Sequence, residues 1–272
     1  MMIFGAISNS WQRQLPTQTL ATLVAEAQQR GARHIELRAT CLGDCETGQG
    51  DDWRPLLPNL QALIDQFPGL SFNLAVPVPC LTEAVDPQGV LFQAALTGAI
   101  CVGRQQAHLR IVDGGYFDHA WETPEDIPAT ALGLADLAHE AARQQVVLSI
   151  ENVSQPLHSM AMLVKCAGDR LSPVEGDNLG LCLDLTNQLR AYPDSNPLSE
   201  LAAISPSMIK MMHIKQTREL RPYPTVDTGD LDCLQMLKIL QEMSYEGPLV
   251  FEIPPHEQAL ENLTSSFNFV RQ

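Results

Sequence analysis

Four short apolar runs in the second half of the chain end in residues able to hold a divalent cation. They are Gln145-Val-Val-Leu-Ser-Ile-Glu151, Leu179-Gly-Leu-Cys-Leu-Asp184, Met208-Ile-Lys-Met-Met-His213-Ile-Lys215 and Leu249-Val-Phe-Glu252. Runs of this length and composition read as strands buried on both faces, as in parallel sheets. A carboxylate buried alone at the end of such a strand is costly, so each needs a counter-charge. Three carboxylates and one imidazole suit a hard or borderline ion, and one Mn²⁺, Mg²⁺, Co²⁺ or Zn²⁺ is the expected cofactor. Singly, each residue has a plainer use: Glu151 as a helix cap, Asp184 as a turn former, His213 as a core histidine, Glu252 as an ion-pair partner of Lys215. Four in succession, each at a strand end, point to one shared site.

Such a site needs elements that bring distant strand ends together. Strands are expected over residues 2–7, 32–37, 70–76 and 107–112, and then over the four runs above. Helices are expected from Thr17 to about residue 31 and over 53–67, 87–102, 124–143, 158–167, 198–204, 229–243 and 255–270, with polar loops between, the longest over 38–50, 113–123 and 216–228. Eight strands alternating with eight helices imply parallel strands joined by right-handed crossovers. The 272 residues suit an α/β fold of the (β/α)₈ TIM-barrel kind, a single domain over 1–272. An open doubly wound sheet is the alternative. No GxGxxG follows the first strand, and ligands at the ends of strands five to eight converge only if the sheet closes.

With 45% hydrophobic and 18% charged residues the composition is that of a soluble globular protein. A net charge of −15 argues against nucleic acid or an anionic membrane as partner. With no basic leader and no apolar stretch of about 18 residues, a cytoplasmic protein is expected. The seven cysteines are scattered without a CxxC pair, as expected of reduced thiols used in packing.

Several motifs carry a family resemblance: Ile150-Glu151-Asn152, Leu183-Asp184-Leu-Thr-Asn187, His213-Ile-Lys215, Gly229-Asp-Leu-Asp232 and Tyr245-Glu-Gly-Pro-Leu-Val-Phe-Glu252. In this order and spacing, residues 146–272 resemble the xylose isomerase-like TIM-barrel superfamily, also called the sugar phosphate isomerase/epimerase family. Ile35-Glu36-Leu37 is the best match before them. The resemblance implies that Glu151, Asp184, His213 and Glu252 bind one metal ion and that Glu151 and Glu252 form the acid/base pair. It implies isomerisation or epimerisation of a small sugar, sugar phosphate or hydroxy-keto compound through a cis-enediolate. A keto-polyol or keto-acid dehydratase and a non-catalytic sugar-binding barrel are the alternatives; a homo-oligomer is compatible with the sequence but not fixed by it.

Asn187 matches a substrate-side position of that family. Lys215 follows His213 by two and so points the same way, toward a substrate hydroxyl, carboxylate or phosphate. Arg218 lies in the loop beyond, and Glu36, Asn73 and Arg110, near the ends of strands two to four, are candidates to line the pocket. Trp11 and Trp121 are either a wall above the site or helix-packing residues. Gln216 stands where many members have Asp, Val153 where some have His, and the third strand ends without a histidine, which leaves the metal site intact and the substrate open.

Overall fold

The computed structural model describes residues 2–115 and 119–272, so the middle of the expected 113–123 loop lies outside the described residues. Its eight parallel strands are β1 Ile3–Ile7, β2 His34–Arg38, β3 Ser71–Pro77, β4 Ala107–Val112, β5 Val146–Glu151, β6 Leu179–Asp184, β7 Ile209–Ile214 and β8 Pro248–Phe251. Each pairs with the next, and β1 pairs with β8 to close a TIM barrel.

Strand alternation divides the side chains into two environments. Ile35, Leu37, Leu74, Val76, Leu109, Ile111, Leu148, Ile150, Leu181, Leu183, Met212 and Phe251 face outward into one continuous core shared with the helices. The intervening positions face the lumen, where Ile7, Cys182, Met211 and Val250 form a small separate apolar plug. The remaining lumen residues include His34, Glu36, Asn73, His108, Arg110, Ser149, Glu151, Asp184 and His213, all buried. A TIM barrel is usually filled by layers of branched apolar side chains. This one is filled largely by polar groups that must satisfy one another.

Helix boundaries follow local chemistry. α1, Leu20–Arg30, begins where the Thr19 side chain accepts from the Thr22 N–H, not at Thr17, and it stops at Gly31, whose φ of +114° only glycine adopts readily. The expected helix over 124–143 is regular only over Leu134–Arg143. Pro128 holds Ile127 extended (φ −71°, ψ 121°), leaving isolated 3₁₀ turns before it. The helix expected from Gly229 starts at Cys233, where the Asp232 side chain caps it, and the last helix starts at Ala259. Leu185–Ala191 forms a helix that the sequence pattern missed. The loop after β7 carries a small antiparallel ribbon, Gln216–Arg218 against Arg221–Tyr223. Glu219 and Leu220 turn it at φ 52° and 62°, and the Asp230 carboxylate accepts both of their N–H groups. No helix among the described residues is long and apolar enough to cross a membrane.

Candidate metal centre

The strand register brings the four predicted ligands to one point. Asp184 is the cross-strand neighbour of His213, His213 pairs with Val250 two residues before Glu252, and the Glu252 N–H continues the ladder to the Ile214 carbonyl. Glu151, Asp184, His213 and Glu252 each offer one ligand atom, and these atoms lie within 4.8 Å of one another. His213 Nδ1 is 3.3 Å from Glu151 Oε1, 3.4 Å from Glu252 Oε2 and 4.0 Å from Asp184 Oδ2.

These separations fit an ion. With bonds of about 2.1 Å, ligands sit about 3.0 Å apart at a right angle, about 3.4 Å at a tetrahedral angle and about 4.2 Å when opposite. The tautomer fits too. His213 Nε2 lies 2.7 Å from Glu36 Oε2, so the ring proton belongs on Nε2 and the Nδ1 lone pair faces the cluster. Asp184 Oδ2 is buried with the Lys215 ammonium 2.6 Å away as an ion pair, which leaves it a second lone pair for an ion. Charge gives a further argument. Four carboxylates, those of Glu36, Glu151, Asp184 and Glu252, share this region with Arg110 and Lys215, which pair with them, and with Arg38, which feels the charges of Glu151 and Glu36. The carboxylates still outnumber these cations, so the centre accommodates a further positive charge with His213 neutral.

A hydrogen-bonded scaffold fixes the ligands. Arg110 donates from Nε to Glu36 Oε1 and from Nη1 to Glu151 Oε2, both at 2.7 Å. Asn152 clasps the Asp184 backbone, donating to its carbonyl and accepting its N–H, each at 2.8 Å. The Asp184 side chain also caps the helix Leu185–Ala191 by accepting the Asn187 N–H, and Asn187 Nδ2 lies 3.3 Å from Glu151 Oε1. Asn9, in the turn after β1, donates to Glu252 Oε1 at 3.0 Å.

Titration follows from this geometry. Burial alone would raise the carboxyls of Glu36, Glu151 and Glu252, but it is outweighed, by Arg110 and His213 for the first two and by Lys215 and His213 for Glu252. All three are held below the usual carboxylate range. Asp184 moves the other way despite its contact with Lys215, because burial and the charges of Glu252 and Glu151 dominate. Burial disfavours the charged forms of His213 and Lys215. His213 is nonetheless pushed well up by Cys182, Glu151, Glu36 and Glu252. Lys215 is pushed up by Asp184, Glu252 and Glu151.

The structure thus brings together all four expected ligands, with Lys215 between Asp184 and Glu252 and Asn187 at the rim. Glu36, Asn73 and Arg110, the candidates to line the pocket, are 0%, 0% and 1% exposed, and Glu36 and Arg110 contact the ligand residues His213 and Glu151. The Arg218 guanidinium stacks 3.8 Å over the Tyr223 ring and donates to Thr228. Trp11 and Trp121 are buried packing residues rather than an exposed lid. Sequence reasoning gave no role to Asn9, Asn152 or Arg190. The polar turn Ser8-Asn9-Ser10 directly after a strand was the available signal for the first.

A cavity of about 160 Å³ opens over Glu252 and Lys215, bordered also by Asn9, Arg190, Pro222 and Pro254. It has room for about five waters, hence for a small polyol. A larger groove, about 590 Å³, is lined by Arg33, His34, Arg104 and Lys210 at the opposite mouth of the barrel and contains none of the four ligands.

Among solved structures, L-ribulose 3-epimerase has a similar fold, with 16% identity and a TM-score of 0.70 over 100% of this chain and 94% of that one. D-allulose 3-epimerase from Methylomonas sp. in complex with D-allulose gives 15% identity and a TM-score of 0.70, covering 100% and 96%. The IolI protein with a bound zinc atom gives 16% and 0.65, covering 99% and 95%. No curated protein matches the sequence. The sequence signature of the xylose isomerase-like TIM barrels matches residues 94–272, about two thirds of the chain, and the protein belongs to that family.

Proposed function

We propose that the protein is a divalent-metal-dependent isomerase or epimerase acting on a small sugar, sugar phosphate or hydroxy-keto compound. The observation that carries this reading is the ligand set itself: two glutamates from different strands converge with Asp184 and His213, and one of them, Glu252, borders a cavity of sugar size. The structural neighbours named above, two sugar 3-epimerases and a zinc-binding protein, support a sugar substrate and a metal.

Bound at this centre, the ion would polarise the substrate's carbonyl and hydroxyl oxygens and acidify the adjacent C–H. Glu252 is the proton acceptor the cavity favours. Its side chain is 18% exposed, against 6% for Glu151 and none for Asp184, and Lys215 and His213 keep it ionised. Glu151, fixed by Arg110, is the second acid/base group. Lys215 and Asn187 hold substrate oxygens at the rim. Return of the proton to the same carbon from the opposite face gives an epimer, and return to the neighbouring carbon gives the aldose–ketose isomer.

The test is solvent deuterium incorporation into a panel of ketoses by the metal-loaded protein, with Glu252→Gln as control. Exchange next to the carbonyl, lost in the variant and without an unsaturated product, supports the reading. An absorbing unsaturated product would make the protein a dehydratase, and no exchange with any ketose would return it to a binding role.

A further inference from the structure

The helix Leu185–Ala191 grows directly out of the candidate ligand Asp184, whose side chain caps it. Residues three apart share a helix face. Asn187 on that face reaches Glu151, and Arg190, one turn further out, lines the cavity beside Lys215 and Glu252. Arg190 is exposed, and among the described residues its guanidinium has no hydrogen-bond or ion-pair partner. Two cations nearer the centre are each ion-paired within it, Arg110 with Glu36 and Glu151, and Lys215 with Asp184 and Glu252.

Charge balance makes this cation informative. With a divalent ion bound, the ion, Arg110, Lys215 and Arg38 together at least match the charge of the four carboxylates, so the centre has no negative charge left to offer Arg190. The cavity lining also contains Pro222, Pro254 and Pro255, which carry no backbone N–H with which to bind a polar group, and the neutral Thr186, Thr217 and Gln216. Arg190 is thus the lining cation not already paired with a carboxylate among the described residues, and its planar fork matches a carboxylate or a phosphate.

We infer that the substrate carries an anionic group, carboxylate or phosphate ester, at the end away from its reacting carbonyl, and that Arg190 receives it. This rests on the reading of the cavity as the substrate site of a metal-dependent isomerase. The class of substrate is then a small keto-sugar acid or sugar phosphate, not a neutral ketose.

The test measures binding to the Mn²⁺-loaded protein by calorimetry for D-fructose, D-fructuronate and D-fructose 6-phosphate, in the wild type and in Arg190→Ala and Arg190→Lys. A charge-assisted contact predicts that at least one charged ketose binds about tenfold or more tightly than D-fructose. In Arg190→Ala this preference should shrink to within about twofold, and Arg190→Lys should restore part of it by charge alone. Fructuronate against the 6-phosphate tells carboxylate from phosphate. Equal binding of the three, binding of none, or a preference that survives Arg190→Ala would overturn the inference. Because binding is read without turnover, a charged ketose that binds through Arg190 but shows no deuterium exchange would remove the isomerase reading and leave the anion site standing.

Discussion

Glu36 Oε2 stands 2.7 Å from His213 Nε2, on the side of the imidazole turned away from the candidate ligand cluster. A buried carboxylate in that position fixes the ring orientation and makes Nδ1 a better donor to a metal. Glu36 is in turn held by Arg110 Nε and approached by Asn73 Nδ2 at 3.4 Å. It acts on the centre through His213 without touching the ion.

Glu36→Gln should therefore weaken Mn²⁺ binding by about 10- to 100-fold, the usual cost of losing such a partner. Titration of the metal-free variant against wild type checks it. Unchanged affinity would mean that packing alone orients His213.

Proton linkage gives a second expectation. In the metal-free protein the surrounding charges raise the His213 pKa well above its ordinary value despite burial. A raised folded-state pKa stabilises fully below the unfolded value near 6.5, and that contribution fades as pH climbs through the raised value. Metal-free protein should thus lose thermal stability from neutral pH upward, whereas the Mn²⁺-loaded form, in which the ion replaces the imidazole proton, should not. Metal affinity should rise with pH over the same window. Glu252, Glu151 and Glu36 have depressed values, so their contribution is present above about pH 4.5 and is lost on acidification. Melting curves with and without Mn²⁺ across pH 3–10 read both limbs, and parallel curves for the two forms would contradict the linkage.

Lys215 carries the third. Its ammonium contacts Asp184 Oδ2 at 2.6 Å and Glu252 Oε2 at 2.8 Å, the side chains that would also ligate the ion. Lys215→Met leaves two carboxylates uncompensated and should cost the metal-free fold about 3–5 kcal/mol. Loaded with Mn²⁺ the same variant should lose much less, since the ion supplies the missing charge. Urea unfolding of both forms tests this, and an equal loss in each would separate Lys215 from the metal site.

The barrel and its four candidate ligands were legible because each ligand terminates a short apolar strand, and strand ends of a closed parallel sheet must converge. Glu36 and Arg110 lie deeper than the sequence suggested because their strands run on. Arg38 and Val112 follow at the next positions on the same side, which leaves Glu36 and Arg110 one layer deeper in the lumen. The helix holding Arg190 is seven residues long, too short to show a helical period. Its start signal was Asp184, already assigned as a ligand. The sequence left Trp121 open between wall and packing because it does not reveal that Ser159 clasps its backbone by accepting the N–H and donating to the carbonyl. In each case contacts made far along the chain decided the outcome.

The two acid/base candidates should separate by mutation. Glu151 is 6% exposed, forms a 2.7 Å ion pair with a 1% exposed Arg110, and receives Asn187 on its other oxygen. Glu151→Gln strips a charge from a buried network and should cost about 3–5 kcal/mol of stability together with most of the metal affinity. Glu252 is 18% exposed, with Lys215 on one oxygen and Asn9 on the other, so Glu252→Gln leaves a partly solvated ammonium that still has Asp184. It should lose about 1–2 kcal/mol or less in stability, yet lower the rate of deuterium exchange by a factor of about 10²–10⁴, the contribution typical of a positioned general base. Metal content, urea unfolding and exchange rates on the two variants supply the comparison. Full exchange activity in Glu252→Gln would shift the base to Glu151 or to a metal-activated water, whereas equal stability losses would show that the Arg110 network adds nothing beyond its exposed counterpart.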